Sequence, residues 1–291
     1  MQKHFVSMSD GRKLEVFTAG NPSSEALVFH HGTPGSALSW QSWLAEANNE
    51  GTFAVSYSRP GYGLSERRSG RRVISNTTDI VEVLSHLGIT KHVSIGWSGG
   101  GPHALADTTL VSCVAAVTLA GVGEFGEADL NFLEGMGQEN HEEFGAALAG
   151  EQQIETWMKE NSGSMAEVTG PQLIEAFGGL IGDADKKALN EDAASKMAEE
   201  FRHSLISGYY GWLDDDLAFV QPWGFDIRQI SKPVVLWQGD DDFMVPHAHG
   251  NWLASKIPNA KLIFVPGEGH ISMGENRKLE IIENAIALLN S

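Results

Sequence analysis

The 291-residue sequence has a single cysteine, no long apolar run and little positive charge. With Cys113 alone the chain has no internal disulfide to draw on, and this thiol, set in the apolar stretch 111–119, reads as part of a core. No run of about 18 apolar residues occurs, which excludes a membrane-spanning helix. Met1–His4 lead into an alternating segment without the apolar region of a signal peptide, so a cytoplasmic location is expected. Lysine and arginine total 20 against 38 aspartates and glutamates, a net charge of −18. Such a surface repels phosphate backbones and anionic lipid, and neither nucleic acid nor a membrane is an expected partner.

What is present is ordinary globular composition, 42% hydrophobic and 20% charged. The negative charge is concentrated: residues 124–222 carry 21 acidic and 5 basic side chains, net −16. The flanks read differently. His4–Ser7 and Lys13–Thr18 bracket Asp10-Gly11, a hairpin signal. Short apolar runs at 26–30, 53–57, 92–96 and 114–119 alternate with helical stretches at 38–48, 77–87 and 101–109, with Gly88 as a helix stop. Strand rhythm resumes at 233–238 and 261–265, and an amphipathic helix is expected over 278–289. Alternation of this kind predicts an α/β protein with a largely parallel sheet. Residues 124–222 break it, showing no strong strand signal and helical patterns at 154–161, 171–180 and 185–203. The expected organisation is a core of residues 1–123 and 223–291 interrupted by a helical cap over 124–222.

The chemistry-bearing signal is Gly96-Trp97-Ser98-Gly99-Gly100, directly after a strand and before a helix. G-x-S-x-G in that setting makes a tight turn that pushes the serine out of the sheet end, and the following helix aims amides at the same point. A serine hydroxyl needs a base and an orienting acid, which in this arrangement follow it in the chain on loops after late strands. Gly239-Asp240-Asp241-Asp242 follows one late strand, and Pro266-Gly267-Glu268-Gly269-His270 follows the next. His270 is therefore the candidate base. Asp242 is the first candidate acid and Asp240 the second. His247-x-His249 lacks a third ligand at useful spacing, so no metal is expected, and nothing calls for a cofactor. His30-His31-Gly32-Thr33-Pro34-Gly35 lets backbone approach a ligand, and the amides of Thr33 and Gly99 are the candidate oxyanion donors.

Taken together these segments resemble the α/β-hydrolase superfamily over nearly the whole chain. His31–Pro34, Arg59-Pro60-Gly61-Tyr62-Gly63-Leu64-Ser65, the serine turn, Gly239–Pro246 and Gly267–His270 occur in the family's order. The resemblance implies an eight-stranded, mostly parallel sheet flanked by helices, with a helical cap inserted where 124–222 lie. It also implies Asp242 rather than Asp240 as the triad acid. Ser58 departs from the family, many members of which carry an aspartate before the arginine. Ser98 itself argues against haloalkane dehalogenase or soluble epoxide hydrolase activity, because those relatives use an aspartate there.

The expected activity is cleavage of small to medium carboxylic esters through Ser98, His270 and Asp242, on a small-molecule substrate. Trp97, Trp157, Trp212, Trp223 and Phe225 are candidates to line an apolar pocket, against the competing reading of core packing. One rival is an aminopeptidase resembling proline iminopeptidases, whose substrate ammonium an acidic cap would hold. Against it, Thr33 stands where those enzymes show a second glycine, and Trp97 precedes the serine instead of following it. A rival of another class is a ligand receptor on the same fold without turnover.

Overall fold

The computed structural model describes residues 1–291. Eight strands form one sheet: β1 (Gln2–Ser7), β2 (Lys13–Ala19), β3 (Glu25–His30), β4 (Ala54–Tyr57), β5 (Lys91–Trp97), β6 (Cys113–Leu119), β7 (Val234–Gly239) and β8 (Ala260–Val265). Their order is β1-β2-β4-β3-β5-β6-β7-β8, and only β2 runs against its neighbours. The hairpin at Asp10-Gly11 pairs β1 with β2, with Gly11 in the left-handed region at φ 91°.

The central strands are apolar because both faces are covered. Leu27, Phe29, Val93, Ile95, Val117 and Trp237 point to one face, under α1 (Gln41–Asn49) and α11 (His270–Leu289). Ala26 and Val28 point to the other with the apolar stripe Ile80, Val83 and Leu84 of α2 (Asn76–Leu87). Ala116, Val234 and Leu236 pack there too, against Leu105 of α3 (Gly101–Asp107) and Leu253 of α10 (His247–Lys256). Gly88 closes α2 in the left-handed conformation at φ 72°. Cys113 is fully buried.

Between β6 and β7 the chain forms α4 (Gln138–Ala149), α5 (Glu151–Ala166), α6 (Gly170–Phe177), α7 (Asp183–Ala188), α8 (Glu191–Ser204) and α9 (Tyr210–Phe219). The pattern over 185–203 is two helices and not one. Leu189 closes the first and Asn190 caps the second, its Oδ1 accepting from the amides of Asp192 and Ala193 at 3.1 Å each. α4 and α9 carry no apolar stripe clear enough to read in the sequence. The last helix begins at His270, eight residues before the expected start. No helix is long and apolar enough to cross a membrane.

Candidate active site

Ser98 sits where β5 turns into α3, at φ 56°, a left-handed conformation that a residue with a Cβ adopts only under constraint. The glycines around it supply that constraint. A Cβ at Gly96 would lie 2.2 Å from the Gly100 carbonyl oxygen, and one at Gly100 would lie 2.1 Å from the His30 carbonyl oxygen. The turn is therefore packed too tightly for side chains on either flank, and the serine is carried to the C-terminal end of the sheet.

The loop after β3 lies against it. A Cβ built on Gly32 would come within 3.4 Å of the Ser98 Cβ, and one on Gly99 within 2.5 Å of the Thr33 hydroxyl. The Thr33 amide donates to no protein acceptor. Gly99 lies in the short 3-10 turn Ser98–Gly100 leading into α3, where amides have no intrahelical partner. The loop is locked from beneath. The fully buried Arg59 donates to the carbonyls of His31 and Gly32, the latter at 2.9 Å, and to Asp215 of α9 at 2.7 Å. Asp215 also accepts from Thr33 Oγ1 at 2.8 Å, from Tyr62 at 2.9 Å and from Arg71. Burial opposes its charge, but Arg59 and Arg71 outweigh that and hold its carboxyl well below the usual carboxylate range. The Arg59–Ser65 motif thus serves the geometry of the Thr33 loop.

His270 and Asp242 meet at the ends of β8 and β7. His270 Nδ1 and Asp242 Oδ2 are 2.8 Å apart, and both residues are about 3% exposed. Asp242 Oδ1 accepts from the amides of Met244 and Val245 at 2.9 and 2.7 Å, which fixes the carboxylate plane. Burial disfavours the imidazolium, but the charge and hydrogen bond of Asp242 more than offset it, and the His270 pKa is raised. Asp240 instead accepts from the Gly267 amide at 2.6 Å, and Asp241 from the Ala184 amide at 2.8 Å. The three consecutive aspartates therefore tie down three different partners. Ser98 and His270 line one cavity of about 70 Å³ with Trp97, although the serine hydroxyl is not hydrogen-bonded to the ring in this conformation.

A second cavity of about 290 Å³ opens from Ser98, Thr33 and Gly99 into the inserted helices. Trp157 and Trp212 line it, their rings edge to face at 5.4 Å, while Trp97 lies 5.3 Å from the His270 ring and donates to its carbonyl at 3.2 Å. Trp223 and Phe225 do not reach either cavity. Trp223 is fully buried among Leu105, Ile227 and Leu253, its carbonyl accepts from the Ile74 amide at 2.9 Å, and Phe225 stacks on it at 5.9 Å. Both therefore belong to packing. His249 is likewise structural: it accepts from the Gly123 amide and contacts the Phe132 carbonyl, each at 2.9 Å.

One buried group near the site has no sequence signal. Asp185 of α7 reaches the start of α11, accepting from the amides of His270, Ile271 and Ser272 at 3.0, 2.9 and 2.8 Å. Its spacing from His270 carries no periodicity, so only the fold reveals it.

A parallel sheet covered on both faces, with a serine on a strained strand-to-helix turn at its C-terminal end, defines a hydrolase of the α/β type. Residues 27–283 match the model of the alpha/beta hydrolase family, and the chain belongs to that family. It is 25% identical over 271 residues to a non-heme haloperoxidase of Rhodococcus erythropolis, covering 91% of this chain and 92% of that one. Similarity to a bifunctional esterase/perhydrolase of Acinetobacter calcoaceticus is 24% identity over 273 residues, covering 91% and 92%. Among solved structures, an esterase of Exiguobacterium antarcticum superposes with a TM-score of 0.75 at 18% identity over the full length of both chains. An enol-lactonase of Burkholderia xenovorans superposes at 0.71 and 15% identity, covering 99% and 100%.

Proposed function

We propose that this chain is a serine hydrolase of small to medium carboxylic esters, with Ser98 as nucleophile, His270 as base, Asp242 as its orienting acid, and residues 124–222 as a cap over the serine. The observation that carries the reading is the buried Asp242–His270 hydrogen bond, with His270 lining the cavity that holds Ser98. Ser98 Oγ attacks the ester carbonyl carbon and its proton passes to His270. The resulting oxyanion is held by the amides of Thr33 and Gly99. As the tetrahedral species collapses, the carbon–oxygen bond to the alcohol breaks and His270 protonates the leaving oxygen. Water then attacks the acyl-enzyme, giving its proton to His270, and the serine ester bond breaks with return of that proton to Ser98.

Substrate size follows from the volume: about 290 Å³ lies at the small end of ligand cavities. The esterase and perhydrolase names of the relatives support a carbonyl substrate. They also favour a second outcome at the same acyl-enzyme, attack by hydrogen peroxide instead of water to release a peracid; peracid formed from an acetate ester with peroxide is the measurement that detects it.

A fluorophosphonate probe tests the activated serine before any natural substrate is in hand. Labelling is expected on the peptide containing Ser98, and Ser98→Ala is expected to lower ester turnover by on the order of 10⁴ or more. Undiminished turnover in that variant ends the assignment.

A further inference from the structure

The acidic run Asp214-Asp215-Asp216 on α9 divides by partner. Asp214 is bound by Arg67 through two contacts of 2.9 Å, and Asp215 by Arg59 and Arg71. Asp216 has no such cation. It is fully buried, both of its carboxylate oxygens lack a hydrogen-bond donor, and it faces the cavity that opens from Ser98. Against it lies the carboxyl of Glu143 on α4, whose Oε1 accepts from Trp212 Nε1 at 2.6 Å. Two carboxylates are both acceptors, so this pair can bond only by sharing a proton. Glu139, one turn earlier on α4, lines the same cavity with a buried Oε2 that also has no partner. Three carboxyl side chains thus face this space, and no lysine, arginine or histidine lines it.

We infer that Glu143 and Asp216, walled by the indoles of Trp157 and Trp212, form a subsite for a protonated amine on the substrate. Buried acids without a counter-charge are costly, and an apolar pair would pack this space more cheaply if it held only hydrocarbon. Burial drives both carboxyls above the ordinary range, and at Asp216 the neighbouring Glu143 and Asp215 add to it and outweigh the opposing charge of Arg71, so an empty site holds a proton between Glu143 and Asp216. An arriving ammonium supplies the positive charge that lets both ionise, and that proton leaves to solvent. The aromatic walls favour an organic cation over a hydrated metal ion, and the three carboxyls are not clustered closely enough to hold a metal ion between them. The subsite deepens the hydrolase reading and rests on it for the reacting carbonyl at Ser98. The amine belongs either to the acyl part or to the alcohol part of the ester.

Two matched pairs of esters separate these cases. The acyl pair is p-nitrophenyl 6-aminohexanoate against p-nitrophenyl hexanoate; the alcohol pair is 4-(aminomethyl)phenyl hexanoate against 4-ethylphenyl hexanoate. In one pair the amine ester is expected to have a kcat/KM roughly tenfold or more above its neutral partner, a size suited to a charge-assisted contact. Glu143→Gln and Asp216→Asn are each expected to cut that ratio by about tenfold. Ratios at or below one in both pairs for the wild type overturn the subsite, as does a preference that both variants leave intact. Calorimetric titration of the wild type with hexylammonium and with hexanol needs neither a variant nor turnover. Hexylammonium is expected to bind the more tightly, and equal or weaker binding overturns the subsite whatever the esters do. Hexylammonium binding without cleavage of any ester instead leaves the subsite standing and removes the hydrolase reading.

Discussion

At the scale of single residues, His270 and His249 show what a carboxylate does to a buried imidazole. His249 meets the backbone at both ring nitrogens, and burial pushes its pKa down to about 4. His270 is as deeply buried, yet Asp242 reverses the direction and raises it above the ordinary 6.5. A base must be neutral to take a proton, so activity is lost as pH falls through that raised value. The acid limb of kcat/KM for ester hydrolysis is therefore expected above pH 6.5. Asp242→Asn keeps an oxygen for the Met244 and Val245 amides but puts an amide beside Nδ1, which favours the wrong tautomer and removes the charge. Turnover is expected to fall by about 10⁴, and the residual activity to keep an acid limb displaced to lower pH. A pH–rate profile of the variant with an unmoved limb rules out Asp242 as the group that sets it.

At the scale of elements, α11 begins at the proposed base, so its first turn must be held if the ring is to stay in place. The opening amides of a helix have no partners within it, and here Asp185 receives three of them from another helix. Asp185→Ala leaves those amides unsatisfied, a loss on the order of 1–2 kcal/mol by analogy with helix caps. It is expected to lower kcat by roughly 10- to 100-fold through misplacement of the ring with little change in KM. Asp185→Asn, which keeps an acceptor, is expected to recover most of the rate. Equal loss of kcat in both variants, or a loss carried by KM, argues that Asp185 acts on stability or binding and not on His270. This contact also marks where sequence reading ends. The strands were legible because β3, β5, β6 and β7 are short apolar runs followed by turns, and the serine turn because its glycines are required by contacts of about 2 Å. Of the inserted helices, α5, α6 and α8 were legible as helical stretches, whereas α4 and α9 lack a clear apolar stripe, and Asn190 interrupts what reads as one helix over 185–203. Trp223 and Phe225 carry the same side-chain signal as Trp157 and Trp212; only the path of the chain sends one pair to the core and the other to the cavity.

At the scale of the whole molecule, the charge asymmetry seen in the sequence becomes an attachment. The acidic insertion meets arginines of the β4–α2 connection at Asp214 and Asp215, and one contact runs the opposite way: His203 of α8 reaches Glu15 of β2 at 3.0 Å. Glu15 is fully buried and also accepts from Ser58 at 2.8 Å and from Lys3 at 2.6 Å. Ser58 is thus paired with a carboxylate from the neighbouring strand. Burial opposes the Glu15 charge, but its bonds to His203, Lys3 and Ser58 prevail and lower its pKa from 4.5 to about 2. A carboxyl depressed in the folded state contributes stability that is present above its unfolded pKa and lost as pH falls through the folded value. The free energy of urea unfolding is therefore expected to decline between pH 4.5 and about 2 partly on account of this one group. Glu15→Gln removes that contribution and strands Lys3 and His203 opposite a neutral amide, at a cost of about 3 kcal/mol at pH 7. Its stability is expected to fall less steeply than the wild type's across the same acid interval, so that the two curves converge as Glu15 protonates. Parallel curves for the two proteins down to pH 2 locate the acid sensitivity elsewhere and separate the joining of sheet and insertion from the charge on Glu15.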